Sequence, residues 1–187
     1  MLLMVASCGK ADGDYTLAKE NLDLLEQWCR YLQEFGNDPG EQLCTDDFAG
    51  HLAHNVNLSA KAILGIAAFG QILQALGQEE KAEAYFRQAK EMMESWLVRA
   101  DAGGYTRLAF GGSGWSMKYN LVWDRLLGLD LIPDAFYEKE IASYLPRMER
   151  YGLPLDSRAP YSKTDWILWT AAMATEEDFP KFVAPVA

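Results

Sequence analysis

The chain has 187 residues, half of them hydrophobic and 24% charged, with a formal net charge of −10. That is enough for one domain with a substantial core, and it excludes a mostly disordered chain. The negative charge argues against nucleic acid or an anionic membrane as the main partner, and no uninterrupted apolar run approaches the ~20 residues that span a bilayer.

The opening MLLMVASC (1–8) admits two readings. It could end a bacterial lipoprotein signal with Cys8 lipidated, or it could be a buried helix. Nothing basic precedes the run, which stops at Ala6, short of the 7–15 apolar residues of a signal. The first basic residue, Lys10, follows the cysteine. A short GDYT turn then leads into an amphipathic segment, so the run is predicted to be an inner helix and Cys8 a buried thiol. Cys8, Cys29 and Cys44 make neither a zinc pattern nor a dense disulfide framework, although Cys8 and Cys29 could meet across a helical hairpin.

LAKENLDLLEQWCRYLQEF (17–35) places Leu17, Leu22, Leu25, Trp28, Cys29, Leu32 and Phe35 at helical spacing with charges opposite. A long polar segment (36–55) follows. From Leu58 to Leu76 the chain is apolar nearly all round, with Lys61 its only charge, as a helix buried on most sides requires. After Gly77, residues 78–100 are amphipathic again: Ala82, Phe86, Ala89, Met93, Trp96 and Leu97 point inward. The alternation repeats: a Gly-rich loop (101–116), an apolar helix in MKYNLVWDRLLGL (117–129), a second helix from Pro133 to Leu145, a long loop (147–164), apolar DWILWTAAMA (165–174), and the start of another helix in EEDFPKFVAPVA. An all-α fold of hairpins is implied, inner helices apolar and outer helices amphipathic. Long loops always lead into apolar helices and short turns leave them, so the long loops share one end. That end is where function gathers and where helix N-termini favour anionic groups.

Three loop segments, 44–57, 111–120 and 151–166, carry the candidate chemistry. Adjacent Asp46 and Asp47 diverge in direction, so one can brace the loop while the other faces a substrate as acid or base. Asp47, His51 and His54 form D-x-x-x-H-x-x-H, which on a helix would share a face like a metal site; no further ligand cluster supports a metal, and hydrogen-bonding histidines are expected instead. Asp156 and Arg158 form either a loop-fixing ion pair or a carboxylate acid/base with a substrate clamp. Ser162 and Asp165 read as an N-cap with an acid at N3. Asn120 and Asp124 share a helix face, as do Tyr119 and Trp123. Asn55, Trp115, Lys118, Lys163 and Trp166 complete the expected substrate-binding set, with core packing the alternative for several of the tryptophans. A polar, uncharged or zwitterionic small molecule suits such a pocket. No cofactor is expected; G-x-S-x-G, P-loop and G-x-G-x-x-G motifs are all absent.

QLCTDDFAGHLAHNVNLSAKAILGIAAF, YNLVWDRLLGL and YGLPLDSRAPYSKTDWILWTAA resemble the C-terminal part of the glutaminase A family over nearly the whole chain. The resemblance implies part of a six-hairpin (α/α)6 toroid like those of glycoside hydrolases. Residues 1–187 would be a single partial domain, about half of the toroid and truncated at both ends. It implies hydrolysis of the side-chain amide of L-glutamine to glutamate and ammonia, usually in exported proteins. By analogy with six-hairpin hydrolases, one carboxylic acid would protonate the leaving nitrogen while another carboxylate activates water, with Asp46, Asp47 and Asp156 the candidates. Alternatives are a carbohydrate-active toroid, or a non-catalytic scaffold whose open apolar edge packs on missing N-terminal hairpins or on a second copy.

Overall fold

The computed structural model describes residues 1–40 and 49–187. Cys44, Asp46 and Asp47 therefore lie outside the described residues. Among the described residues regular structure is helical, and extended backbone pairs only through isolated β-bridges.

The organising element is α4 (Val56–Ala75), apolar nearly all round, with Asn57, Ser59 and Lys61 its polar residues near the start and Gln71 and Gln74 near the end. It packs against α1 (Leu2–Asp12), α3 (Leu22–Phe35), α5 (Glu79–Ala100) and α6 (Val122–Leu127). By length and apolarity alone α4 could cross a membrane, but 83% of its apolar window is buried inside the protein. Inner and outer helices alternate as the sequence implies. Outer α5 and α7 (Asp134–Tyr144) turn charged faces to water, while α6 and α8 (Thr164–Ala171) return to the inner layer, and α9 (Phe179–Val183) packs on α8. The short-turn end is tied by side chains. Lys10 Nζ donates to the carbonyls of Leu126 and Leu127 at 3.2 and 2.7 Å, and Gln71 Nε2 donates to Leu127 O at 3.0 Å. These bonds occupy orphan carbonyls at the end of α6.

Four local expectations change. The helix expected over 17–35 breaks at Asn21, whose Nδ2 donates to Leu17 O at 2.9 Å in competition with the backbone. A short α2 (Thr16–Glu20) results, and Leu17 and Phe35 stand exposed rather than in the core. Cys8 is exposed, because Leu2, Leu3, Ala6 and Gly9 form the inward stripe of α1 and position 8 falls off it. Cys8 and Cys29 are both free thiols. The helix expected from Met117 starts only at Val122, after a 3-10 turn at Tyr119–Leu121.

Exposed apolar side chains concentrate on the first three helices: Met1, Met4, Leu17, Leu24, Tyr31 and Phe35.

Candidate functional site

Five extended stretches knit the long loops together at one end of the helices. Val56 N–H donates to Leu108 O at 3.2 Å, and Phe110 N–H to His54 O at 2.9 Å. Leu108 N–H donates to Gly114 O at 3.0 Å. Met117 N–H then reaches Leu155 O at 2.7 Å, Ser157 N–H reaches Trp115 O at 3.0 Å, and Leu155 N–H reaches Tyr161 O at 2.8 Å. Bridges at Asn55↔Ala109, Arg107↔Trp115, Ser116↔Asp156 and Asp156↔Ala159 follow the same path. A belt of backbone hydrogen bonds thus carries the residues that the sequence places on separate loops.

Asp156 sits in this belt, buried apart from a few per cent of its surface. Its Oδ1 accepts from the Arg158 backbone N–H and Nε at 2.8 and 2.9 Å, and its Oδ2 accepts from Nη2 at 2.7 Å. The ion pair is bidentate and local, as two residues flanking one turn allow. Trp115, Asp156 and Arg158 share the wall of a 430 Å³ cavity with Arg147, Glu149 and Pro154.

Beside this cavity the inner layer begins. Lys118 is fully buried, its Nζ donating to Ser116 O and Oγ, both at 2.8 Å. Tyr119 stacks flat on Trp166 at 4.4 Å between ring centroids, and Lys163 Nζ stands 4.8 Å from the Trp166 ring centre. Trp123 and Trp169 meet edge-on at 5.6 Å. Asn120 Oδ1, Trp123 Nε1 and Thr170 Oγ1 are buried without a hydrogen-bond partner among the described residues. All four tryptophans, Trp115, Trp123, Trp166 and Trp169, pack in or against the core, and of them Trp115 also lines the cavity.

Other expected site residues fall elsewhere. Residues 49–54 are not α-helical, so the histidines cannot share a helix face; His54 adopts φ 60 and its Nδ1 lies 2.9 Å from Asp38 Oδ1. His51 is exposed. Asn55 is a cap: its Oδ1 accepts the Leu58 N–H of α4 at 3.0 Å. The Ser162–Asp165 capping pair does not form. Lys163 occupies the N-cap position of α8, Ser162 Oγ has no partner among the described residues, and Asp165 is exposed in the first turn. Asp124 belongs to the opposite end, where it accepts from Leu131 N–H at 3.0 Å and from the Tyr137 hydroxyl at 2.9 Å; burial raises its carboxyl above the usual range.

Sequence reasoning missed the support of this site. Glu140, buried on outer α7, accepts from the Tyr144 hydroxyl at 2.7 Å and from Thr106 Oγ1. Burial, then the neighbouring Glu140 charge, holds the Tyr144 phenol well above its ordinary value. The Tyr137, Glu140, Ile141, Tyr144 spacing marks one helix face, but an acid in such a stripe reads as solvated until the partner loop is in place. Arg147 and Glu149 were also missed, because an outer-helix terminus carries no motif.

An alternating inner and outer helical array with a polar cleft built from its long loops is the architecture of a six-hairpin toroid domain. The chain belongs to the glutaminase A six helical-hairpin domain family, which it matches over residues 1–187. Glutaminase A of Aspergillus oryzae (strain ATCC 42149 / RIB 40) is 36% identical over 181 residues, covering 94% of this chain and 26% of that protein. A protein named Probable glutaminase from Arthroderma benhamiae (strain ATCC MYA-4681 / CBS 112371) is 31% identical over 186 residues, covering 81% of this chain and 21% of its own length. The chain thus spans about a quarter of the length of these relatives.

Proposed function

We propose that the natural protein hydrolyses the side-chain amide of L-glutamine to L-glutamate and ammonia, and that this chain supplies the loop end of about half of its toroid. The supporting observation is the buried Asp156 carboxylate, held by Arg158 in the wall of a cavity that also presents Trp115. The names of the two relatives point the same way.

In this reading one carboxylate takes a proton from water as its oxygen bonds to the amide carbon. A carboxylic acid then protonates the nitrogen, the C–N bond breaks, and ammonia leaves with the acid product. Asp156 Oδ2 accepts a single bond from Arg158 and retains acceptor capacity for the water. Asp46 or Asp47 supplies the second carboxyl. Lys118 braces the Ser116 segment that pairs with Asp156, while Tyr119, Asn120 and Trp166 are buried and, like Lys163, do not line the cavity. The exposed apolar side chains of α1–α3 fit a face that preceding hairpins of the longer protein cover.

The test is ammonia release from L-glutamine by the full-length natural protein and its Asp156→Asn and Asp47→Asn variants. Loss of activity on the order of a hundred-fold in either folded variant supports the reading. Cleavage of an oligosaccharide with no ammonia from glutamine replaces it with a carbohydrate-active toroid.

A further inference from the structure

We infer that Glu140 and Tyr144, on the outer helix α7, are positioning residues for Asp156: they fix the loop strand that holds it, and so raise turnover without touching substrate. This rests on the amide-hydrolysis reading and adds two residues to its machinery.

Residues 115–117 hold Asp156 on both sides. Met117 N–H donates to Leu155 O at 2.7 Å, Ser157 N–H donates to Trp115 O at 3.0 Å, and Ser116 forms the bridge to Asp156 itself. The direction of the carboxylate therefore follows the position of that strand. Two supports fix the strand, and both lead to Glu140. On one flank Trp115 bridges Arg107, and the Leu108 N–H donates to Gly114 O at 3.0 Å. This flanking stretch starts at Thr106, whose Oγ1 donates to Glu140 Oε1. At the far end the Lys118 N–H donates to the Tyr144 hydroxyl at 2.8 Å, and that hydroxyl donates to the same Glu140 oxygen at 2.7 Å. One carboxylate oxygen thus ties the 106–108 stretch to the end of the 115–118 segment.

Glu140 is 3% exposed and forms no ion pair among the described residues. Taking a carboxylate out of water costs free energy that two hydroxyl bonds at best offset. An apolar side chain would fill the same place on α7 at lower cost. It would not supply direction, because a satisfied polar network specifies one arrangement where apolar contacts tolerate sliding. A catalytic group displaced by ~1 Å can lose about a hundred-fold in rate. Tyr137, nearer the start of α7, is the natural comparison. It is buried as deeply and its hydroxyl donates to Asp124 at 2.9 Å, but this bond lies at the short-turn end.

The experiment uses the full-length natural protein and its Tyr144→Phe, Glu140→Leu, Glu140→Gln and Tyr137→Phe variants, assayed for ammonia release from L-glutamine well below every Tm. Tyr144→Phe and Glu140→Leu should lower kcat by about ten-fold or more with KM within about two-fold, since substrate contacts are untouched. Glu140→Gln keeps an oxygen acceptor and should recover most of that loss. Tyr137→Phe should lower Tm comparably and leave kcat unchanged. Backbone hydrogen exchange is the second measure: the Met117 and Ser157 amides should exchange about ten-fold faster in Tyr144→Phe and at the unmodified rate in Tyr137→Phe. Equal kcat losses in Tyr144→Phe and Tyr137→Phe overturn the positioning role. If Asp156→Asn loses activity while Tyr144→Phe and Glu140→Leu keep it, hydrolysis stands and positioning falls. If unmodified protein releases no ammonia, hydrolysis falls, and exchange at Met117 and Ser157 decides alone: faster in Tyr144→Phe supports the hold on Asp156, and unaltered overturns it.

Discussion

The hydroxyl of Tyr144, on the outer helical layer, accepts the backbone N–H of Lys118, at the mouth of the inner layer, at 2.8 Å. Its own proton goes to Glu140 at 2.7 Å, since a carboxylate outcompetes the Ser116 carbonyl at 3.3 Å. An outer helix thereby sets the position of the loop segment 115–118, and with it Trp115, Lys118 and the pairing of Met117 with Leu155. The cavity is held from behind by a buried polar network, not by apolar packing alone.

Tyr144→Phe removes the centre of that network and leaves a buried N–H and a buried carboxylate oxygen short of a partner. A loss of about 2–3 kcal/mol in unfolding free energy is expected from urea titration. Glu140→Gln retains an oxygen acceptor and should lose about 1 kcal/mol. Equal, near-zero effects for both would show that the network does not hold the loop.

The buried tyrosines set the alkaline limit of the fold. Tyr137 and Tyr144 are both raised above 10.0, chiefly by burial. Above pH ~10 the unfolded chain releases these protons while the folded chain keeps them, so stability falls as pH rises. Asp124 acts in the same sense in acid. Its folded value is raised from 3.8 by burial, so stability declines as pH climbs from near 3.8 to that raised value. Thermal unfolding across both ranges should show the two declines, with Asp124→Asn flattening the acid one and Tyr137→Phe reducing the alkaline one.

Of the two described cysteines, only Cys8 should react with a thiol reagent at pH 8 in the folded protein. Cys8 is exposed, whereas Cys29 is buried and its thiol is pushed up to about 12 by burial and then by Glu26. Mass mapping after brief labelling tests this; comparable labelling at both sites would contradict the packing of α3 on α4.

Gly114 adopts φ +82, and a Cβ there would lie 2.4 Å from Ser157 Oγ, the atom that receives the Trp115 N–H at 3.2 Å. Gly114→Ala should cost about 1–3 kcal/mol and weaken binding in the neighbouring cavity. Gly104→Ala, with nothing within 4 Å, serves as the control and should change stability by less than about 0.5 kcal/mol.

Much of the fold was legible in the chain because burial imposes periodicity. The all-apolar run of α4 and the striped run of α5 declare inner and outer layers, and the alternation of long and short connections places the loops at one end. Asn21 defeated the pattern, since a single side-chain hydrogen bond to Leu17 O broke a helix that spacing alone supports. The candidate site was legible in part. Trp115, Asp156 and Arg158, taken from two separate loops, share a cavity, whereas the stacking of Tyr119 on Trp166 left no trace in the spacing. His54, Asn55 and Asp165 carry the right chemistry for a pocket but are an Asp38-paired loop residue, a helix cap and an exposed first-turn acid.

The sequence by itself determined the layers, the end at which the loops gather and the family, because these follow from local periodicity and contiguous motifs. Only the tertiary structure decided which polar groups are buried and paired. Tyr144 meets Lys118 26 positions away and Glu140 meets Thr106 34 positions away, and Arg147 joins Asp156 in one wall only once the belt has closed. Hydrogen-bond partners distant in sequence leave no periodic trace, so their roles emerge when packing brings them within reach.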